Sequence, residues 1–245
     1  MVGEGRPVVA IHGMGEDHRH MVVDLEPVFV HYSKWKRIYP DLPGHGKTPA
    51  PDWITSNDQM LDVVLEFIDE VTNGERFLLV GRSYGGYLAR GVVNRRPSLI
   101  DGLLLWVPVV TYGKRTLPSQ VLTGNKAVTP HINQREKELI GRLPRYREDP
   151  SKQNQLVRRL IANFSFDHDG FPERLESPTL IVCGRQDSVV GYVDQWRVLE
   201  NYPNATFALL DGADHLLGQP GIREETFKIL ARDWLNRVCA PRGAY

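Results

Sequence analysis

Phe77-Leu78-Leu79-Val80-Gly81-Arg82-Ser83-Tyr84-Gly85-Gly86 decides the fold. Four apolar residues form a strand that stops at a glycine. Residues 84–96 then read as a helix stopped by Pro97. Between the two lies Gly81-x-Ser83-x-Gly85, the spacing of a nucleophile elbow in the strand–turn–helix context such an elbow requires. So tight a turn has no room for side chains at its flanks, hence Gly81 and Gly85. It lifts the Ser83 hydroxyl above the sheet edge, beside a helix N-terminus that favours negative charge.

On either side of this stretch the same alternation continues. Residues 8–11, 36–39, 103–107, 179–183 and 206–210 read as strands, most of them continuous apolar runs, with Lys36-Arg37-Ile38-Tyr39 the weakest, and most are ended by Gly, Pro or Asp. Runs with so little polar alternation belong to parallel strands covered on both faces. Helical patterns fall between them. Ser56-Asn57-Asp58-Gln59 is a capping box, followed by Leu61, Val64, Ile68 and Val71 on one face and closed by Asn73-Gly74. Phe227, Leu230, Ala231, Trp234, Leu235 and Val238 make an apolar stripe near the C-terminus. The pattern predicts an α/β fold, an open, mostly parallel sheet of about six strands with flanking helices and right-handed crossovers.

The alternation lapses over residues 111–176. Two helices are expected there, the second starting at Asp149-Pro150 and showing Val157, Leu160, Ile161 and Phe164 on one face. This segment carries a net charge of +4 against −4 for the rest. It reads as a helical cap inserted into a core made of residues 1–110 and 177–245. Its arginines (Arg142, Arg145, Arg147, Arg158, Arg159) read as a solvated face, with a substrate carboxylate as the other use for one or two of them.

Composition bounds the function. The 245 residues include 30 Lys+Arg and 30 Asp+Glu, and 41% are apolar, which excludes a disordered chain. Zero net charge argues against a nucleic-acid or membrane-surface binder. The N-terminal residues show no apolar signal segment and no run approaches a membrane span, so the expected location is cytoplasmic. Cys183 and Cys239 read as buried thiols rather than a disulfide.

A serine hydroxyl needs a base to take its proton. His215 follows the last predicted strand, and parallel strands all end at one sheet edge, so His215 reaches the edge where Ser83 sits. The base needs an acid to hold its tautomer. Asp187 follows the preceding strand, whereas Asp211 and Asp214 read as turn formers and no acid follows the 103–107 strand until Glu136. The order Ser83, Asp187, His215 matches one fold family. Acyl transfer also needs donors aimed at the developing oxyanion. The Tyr84 N–H, next after the nucleophile, and the Met14 N–H, in the loop after the first strand, are the candidates; His12 is read as shaping that loop.

The chain resembles the α/β-hydrolase superfamily. The resemblance rests on His12-Gly13-Met14-Gly15, Asp41-Leu42-Pro43-Gly44-His45-Gly46, Gly81 to Gly86, Gly184-x-x-Asp187 and His215, in order over nearly the whole chain. It implies a helical cap after the family's sixth strand, which fits residues 111–176, and leaves out the family's two N-terminal antiparallel strands. Arg82 stands where the family often has His or Asn, and Asp214 where it often has Gly. Epoxide hydrolases and haloalkane dehalogenases of the family use Asp where this chain has Ser83.

The expected activity is hydrolysis of a carboxylic ester or related acyl bond of a small molecule, with no metal or organic cofactor. Two alternatives remain. The 41–48 segment and Ser83-Tyr84-Gly85-Gly86 also resemble those of the lyase of menaquinone synthesis and of carbon–carbon bond hydrolases, which act on carboxylate-bearing substrates. A ligand sensor retaining the pocket is the non-enzymatic alternative. His18-Arg19-His20 and Asp167-His168-Asp169 are read as solvated, not as metal ligands.

Overall fold

The computed structural model describes residues 1–110, 150–162, 164 and 174–240. Six strands form one sheet: β1 (Arg6–Ile11), β2 (Trp35–Ile38), β3 (Phe77–Arg82), β4 (Ile100–Trp106), β5 (Thr179–Gly184) and β6 (Ala205–Leu210). Their order is β2-β1-β3-β4-β5-β6, and every pairing is parallel. The helices are α1 (His18–Phe29), α2 (Asn57–Thr72), α3 (Tyr84–Arg95), α4 (Pro150–Ala162), α5 (Val193–Arg197) and α6 (Glu224–Cys239). Each expected strand is present, extended by one to three residues at an end, with β2 shifted by one and β4 ending one residue earlier, before Val107. An antiparallel bridge between Val2 and Arg37 is the only antiparallel pairing among the described residues.

Alternate residues of each strand feed two separate cores, because side chains on a strand point to opposite faces. Val9, Ile11, Leu79, Leu105 and Ile181 pack with α2 and α3. Val8, Ala10, Val80, Leu104 and Val182 pack with α1 and α6. The predicted caps are in place: Ser56 accepts from the Gln59 N–H, and Asn73 ends α2 in the left-handed conformation. α6 buries Phe227, Ala231, Trp234 and Leu235 as its stripe requires.

Three expectations change. Leu156 and Leu160 form the fully buried face of α4, while Val157 and Ile161 are only half-buried, so the stripe is rotated by about one position. Arg159 is not idle: its guanidinium donates to the Asp52 and Ile54 carbonyls. Cys183 is buried and free, but Cys239 is exposed, because it lies past the last inward residue of the α6 stripe. Residues 111–149, 163 and 165–173 of the predicted cap, with Arg142, Arg145, Arg147 and Asp167-His168-Asp169 among them, lie outside the described residues. Among the described residues no helix is long and apolar enough to cross a membrane.

The sheet reverses its winding between β1 and β3. Chain leaving β1 goes to β2 on one side, and chain leaving β3 goes to β4 on the other. The loops above these two neighbouring strands therefore diverge and leave a crevice at the carboxyl ends, the usual place for a ligand in an open α/β sheet.

Candidate active site

Ser83 follows β3 at that crevice with φ 51° and ψ −116°, a conformation sparsely populated by anything but glycine. Its flanks explain how the chain holds it. A Cβ on Gly81 would collide with the Gly85 carbonyl, and one on Gly85 with the Ile11 and His12 carbonyls. The second strained residue at this edge is Val107, with φ 40°, directly after β4. Its N–H donates to the Val182 carbonyl, and Ser83 N–H donates to the Trp106 carbonyl. Neighbouring strand ends thus hold the elbow through backbone hydrogen bonds.

The structure brings Ser83, His215 and Asp187 together from three loops. His215 Nε2 lies 2.8 Å from Ser83 Oγ, and His215 Nδ1 lies 2.8 Å from Asp187 Oδ2. Asp187 is fully buried, and its Oδ1 accepts the Val189 and Val190 N–H groups at 2.8 and 2.9 Å. An ionised carboxylate only accepts, so the imidazole proton sits on Nδ1 and Nε2 faces the serine hydroxyl as an acceptor. Asp211 and Asp214 lie elsewhere in the turn: Asp211 accepts from Gln186, and Asp214 accepts the Leu216 N–H.

Met14 and Tyr84 flank the same crevice. The loop after β1 abuts the nucleophile so closely that a Cβ on Gly13 would stand 3.2 Å from Ser83 Cβ. Neither the Met14 nor the Tyr84 N–H has an acceptor among the described residues. The loop is braced by two neutral histidines. His12 donates from Nδ1 to the Gly13 carbonyl and accepts the Leu42 N–H at Nε2. His45 donates to the Pro43 carbonyl and accepts the Gly15 N–H. Burial, helped by its neighbour His45, lowers the His12 pKa to about 4, which keeps its acceptor nitrogen free. The two short motifs are thus two halves of one brace, His12 reaching the 41–46 loop and His45 reaching back.

Sequence reasoning missed four participants. Glu16 pairs with Arg82, the residue before the nucleophile. Trp106 stacks over that guanidinium at 5.0 Å. Asn57, at the start of α2, accepts from the Tyr84 hydroxyl and donates to the Leu160 carbonyl of α4, tying the elbow helix to α4. Leu156 of α4 rests against Gly44. The available signal was Arg82 itself: a cation inside a strand with both faces covered demands a buried partner. His18 Nδ1 bonds Asp41, and Asp17 caps α1 and bonds Arg19, so these side chains serve the turn before α1.

Residues 8–220 match the profile of the Alpha/beta hydrolase family. The chain belongs to this family. A pimeloyl-[acyl-carrier protein] methyl ester esterase of Legionella pneumophila is 25% identical over 87% of this chain and 89% of its own length. A putative carbamate hydrolase of Agrobacterium fabrum is 23% identical over 86% and 87%. Among solved structures, an α/β superfamily hydrolase of Oenococcus oeni superposes with a TM-score of 0.82 at 25% identity, covering 98% of this chain and 95% of that one.

One buried acid of this hydrolase stands apart from the site. Asp24 of α1 is buried, and its Oδ2 has no hydrogen-bond partner among the described residues. Burial raises its pKa to about 7, against the pull of Arg82. A carboxyl raised in the folded state contributes stability that is complete below its unfolded pKa and lost as pH climbs through the folded value. Asp24→Asn is therefore expected to melt higher than the native chain at pH 8, with the gap closing toward pH 4. Melting curves across that range test it; a gap independent of pH would refute the assignment.

Proposed function

We propose that this hydrolase cleaves a carboxylic ester, or a related acyl bond, of a small molecule through Ser83, His215 and Asp187. The observation that carries the reading is the unbroken chain of hydrogen bonds from Asp187 Oδ2 through His215 to Ser83 Oγ. His215 Nε2 takes the Ser83 proton as the oxygen attacks the carbonyl carbon. The Met14 and Tyr84 N–H groups receive the negative charge on the carbonyl oxygen. Asp187 stabilises the imidazolium. Collapse of the tetrahedral adduct expels the alcohol, which leaves with the proton from His215, and an acyl-enzyme remains. Water enters, gives its proton to His215 and attacks the acyl carbon. A second collapse releases the acid and returns the proton to Ser83. The esterase and carbamate hydrolase names of the two relatives support an acyl substrate.

The expected substrate is small or medium-sized. Leu160 is buried and bonded through Asn57 to Tyr84, and Phe164, just past α4, lies 5.9 Å from the Tyr84 ring and 4.4 Å from the Tyr87 ring, so this segment packs beside the nucleophile's helix. A roof there excludes water and limits the length of the acyl group. The test is kcat/KM for matched p-nitrophenyl esters and thioesters of increasing acyl length, with and without a terminal carboxylate, at low salt. A peak at short or medium length supports the reading, and a monotonic rise toward long-chain lipids would refute the roofed site. Gain from the carboxylate shifts the substrate to anionic acyl groups; no gain removes the carboxylate-dependent lyase and carbon–carbon hydrolase alternative.

A further inference from the structure

The oxyanion loop and the nucleophile elbow are joined by one carboxylate. Glu16 Oε2 accepts the Gly13 N–H at 3.0 Å. Its Oε1 accepts from Arg82 Nη1. Its own N–H donates to the Gly13 carbonyl at 3.3 Å, which also accepts from His12 Nδ1 at 2.7 Å. The Gly13–Met14 peptide is therefore held by two donors on its carbonyl. A trans peptide is planar, with its C=O and N–H antiparallel. Locking the Gly13 carbonyl thus locks the opposite direction of the Met14 N–H, the donor assigned above to the oxyanion.

Arg82 carries the other end of the link. Its side chain is fully buried, capped by the Trp106 ring, and its Nη2 donates to the His215 carbonyl at 3.4 Å. Trp106 is itself anchored by its indole N–H to the Leu217 carbonyl, two residues past the base. The pair so touches the loops after β1, β3 and β6, one for each part of the acyl-transfer machinery.

We propose that the Glu16 carboxylate, by tying the Gly13 N–H to Arg82, is a positioning residue that holds the oxyanion loop, and with it the Met14 N–H, in register with Ser83 and His215. The proposal rests on the serine-hydrolase reading above. Burial opposes ionisation of Glu16, but the Arg82 guanidinium, His20 and the Gly13 N–H together outweigh it and keep its carboxyl below the usual range. A charged Glu16 is what both of its hydrogen bonds require.

The test uses the full chain and four variants: Glu16→Ala, Glu16→Gln, the Glu16→Gln/Arg82→Met double variant, and Ser83→Ala as control. kcat and KM are measured on the best ester of the series, with melting temperature and the Ki of a trifluoromethyl ketone that forms a tetrahedral adduct with a serine. Glu16→Ala is expected to lose roughly 10- to 10²-fold in kcat, with KM within about twofold and a parallel rise in that Ki, because the loss falls on the tetrahedral species. The double variant buries no unpaired charge, so it should regain melting temperature without regaining kcat. Recovery of kcat together with melting temperature would mean the pair only supports the fold, and overturns the proposal. So would a rise in KM at constant kcat. If Glu16→Ala does not fold, Glu16→Gln and the double variant carry the same comparison. Full turnover in Ser83→Ala would sink the serine reading and the clamp with it; an inactive Ser83→Ala beside a fully active Glu16→Ala sinks the clamp alone.

Discussion

Ser83→Ala is expected to lower kcat/KM for the best ester by roughly 10³-fold or more, and His215→Ala to do the same. The two losses do not add in the double variant, because the hydroxyl is useless without the base 2.8 Å away and the base has nothing to deprotonate without the hydroxyl. Binding is expected to survive in both, since the residues around the crevice are untouched, so KM should move little compared with kcat. Loss of covalent labelling by a fluorophosphonate accompanies the loss of kcat in Ser83→Ala. The check is steady-state kinetics of the three variants with purified, folded protein. Near-normal turnover in Ser83→Ala, or multiplicative losses in the double variant, would remove the shared mechanism.

The positions of these residues could be read from the sequence because they sit where strands end. A parallel strand covered on both faces must be a continuous apolar run, and residues 77–80, 103–107 and 179–183 are such runs. Ser83, Asp187 and His215 each follow one of the six runs closely, so a parallel sheet puts all three at one edge whatever the connections do. Glu16 could not be found the same way. Its partner lies 66 residues away, and only the register of β1 beside β3 brings them together. Leu156 was missed for a different reason. The face of α4 that is buried depends on where the helix meets Gly44 and Asn57, and a one-position rotation leaves the apolar periodicity almost unchanged. Cys239 falls outside the core because a helix stripe sets which side is buried but not where burial ends along the axis.

Asp187→Asn is expected to fold normally and lose roughly 10⁴-fold in kcat. The reason is orientation. Oδ1 of Asp187 accepts two backbone N–H groups, from Val189 and Val190. An asparagine must keep its carbonyl oxygen at that position, because its NH₂ group there would face two donors. The NH₂ is then turned toward His215 Nδ1, where the carboxylate now lies at 2.8 Å. A donor in that place forces Nδ1 to accept, which moves the imidazole proton to Nε2. Nε2–H points at Ser83 Oγ and can no longer take its proton. The base is lost although every heavy atom stays in place, so melting temperature and product binding should be close to native while kcat collapses. Asp211→Asn and Asp214→Asn give the contrast. Asp211 is exposed and accepts from Gln186, and an asparagine at 214 can still accept the Leu216 N–H, so both should keep nearly full activity. Kinetics of the three variants on one ester decide the matter. Inactivity at 211 or 214 with an active Asp187→Asn would place the acid of the triad elsewhere in the turn before His215.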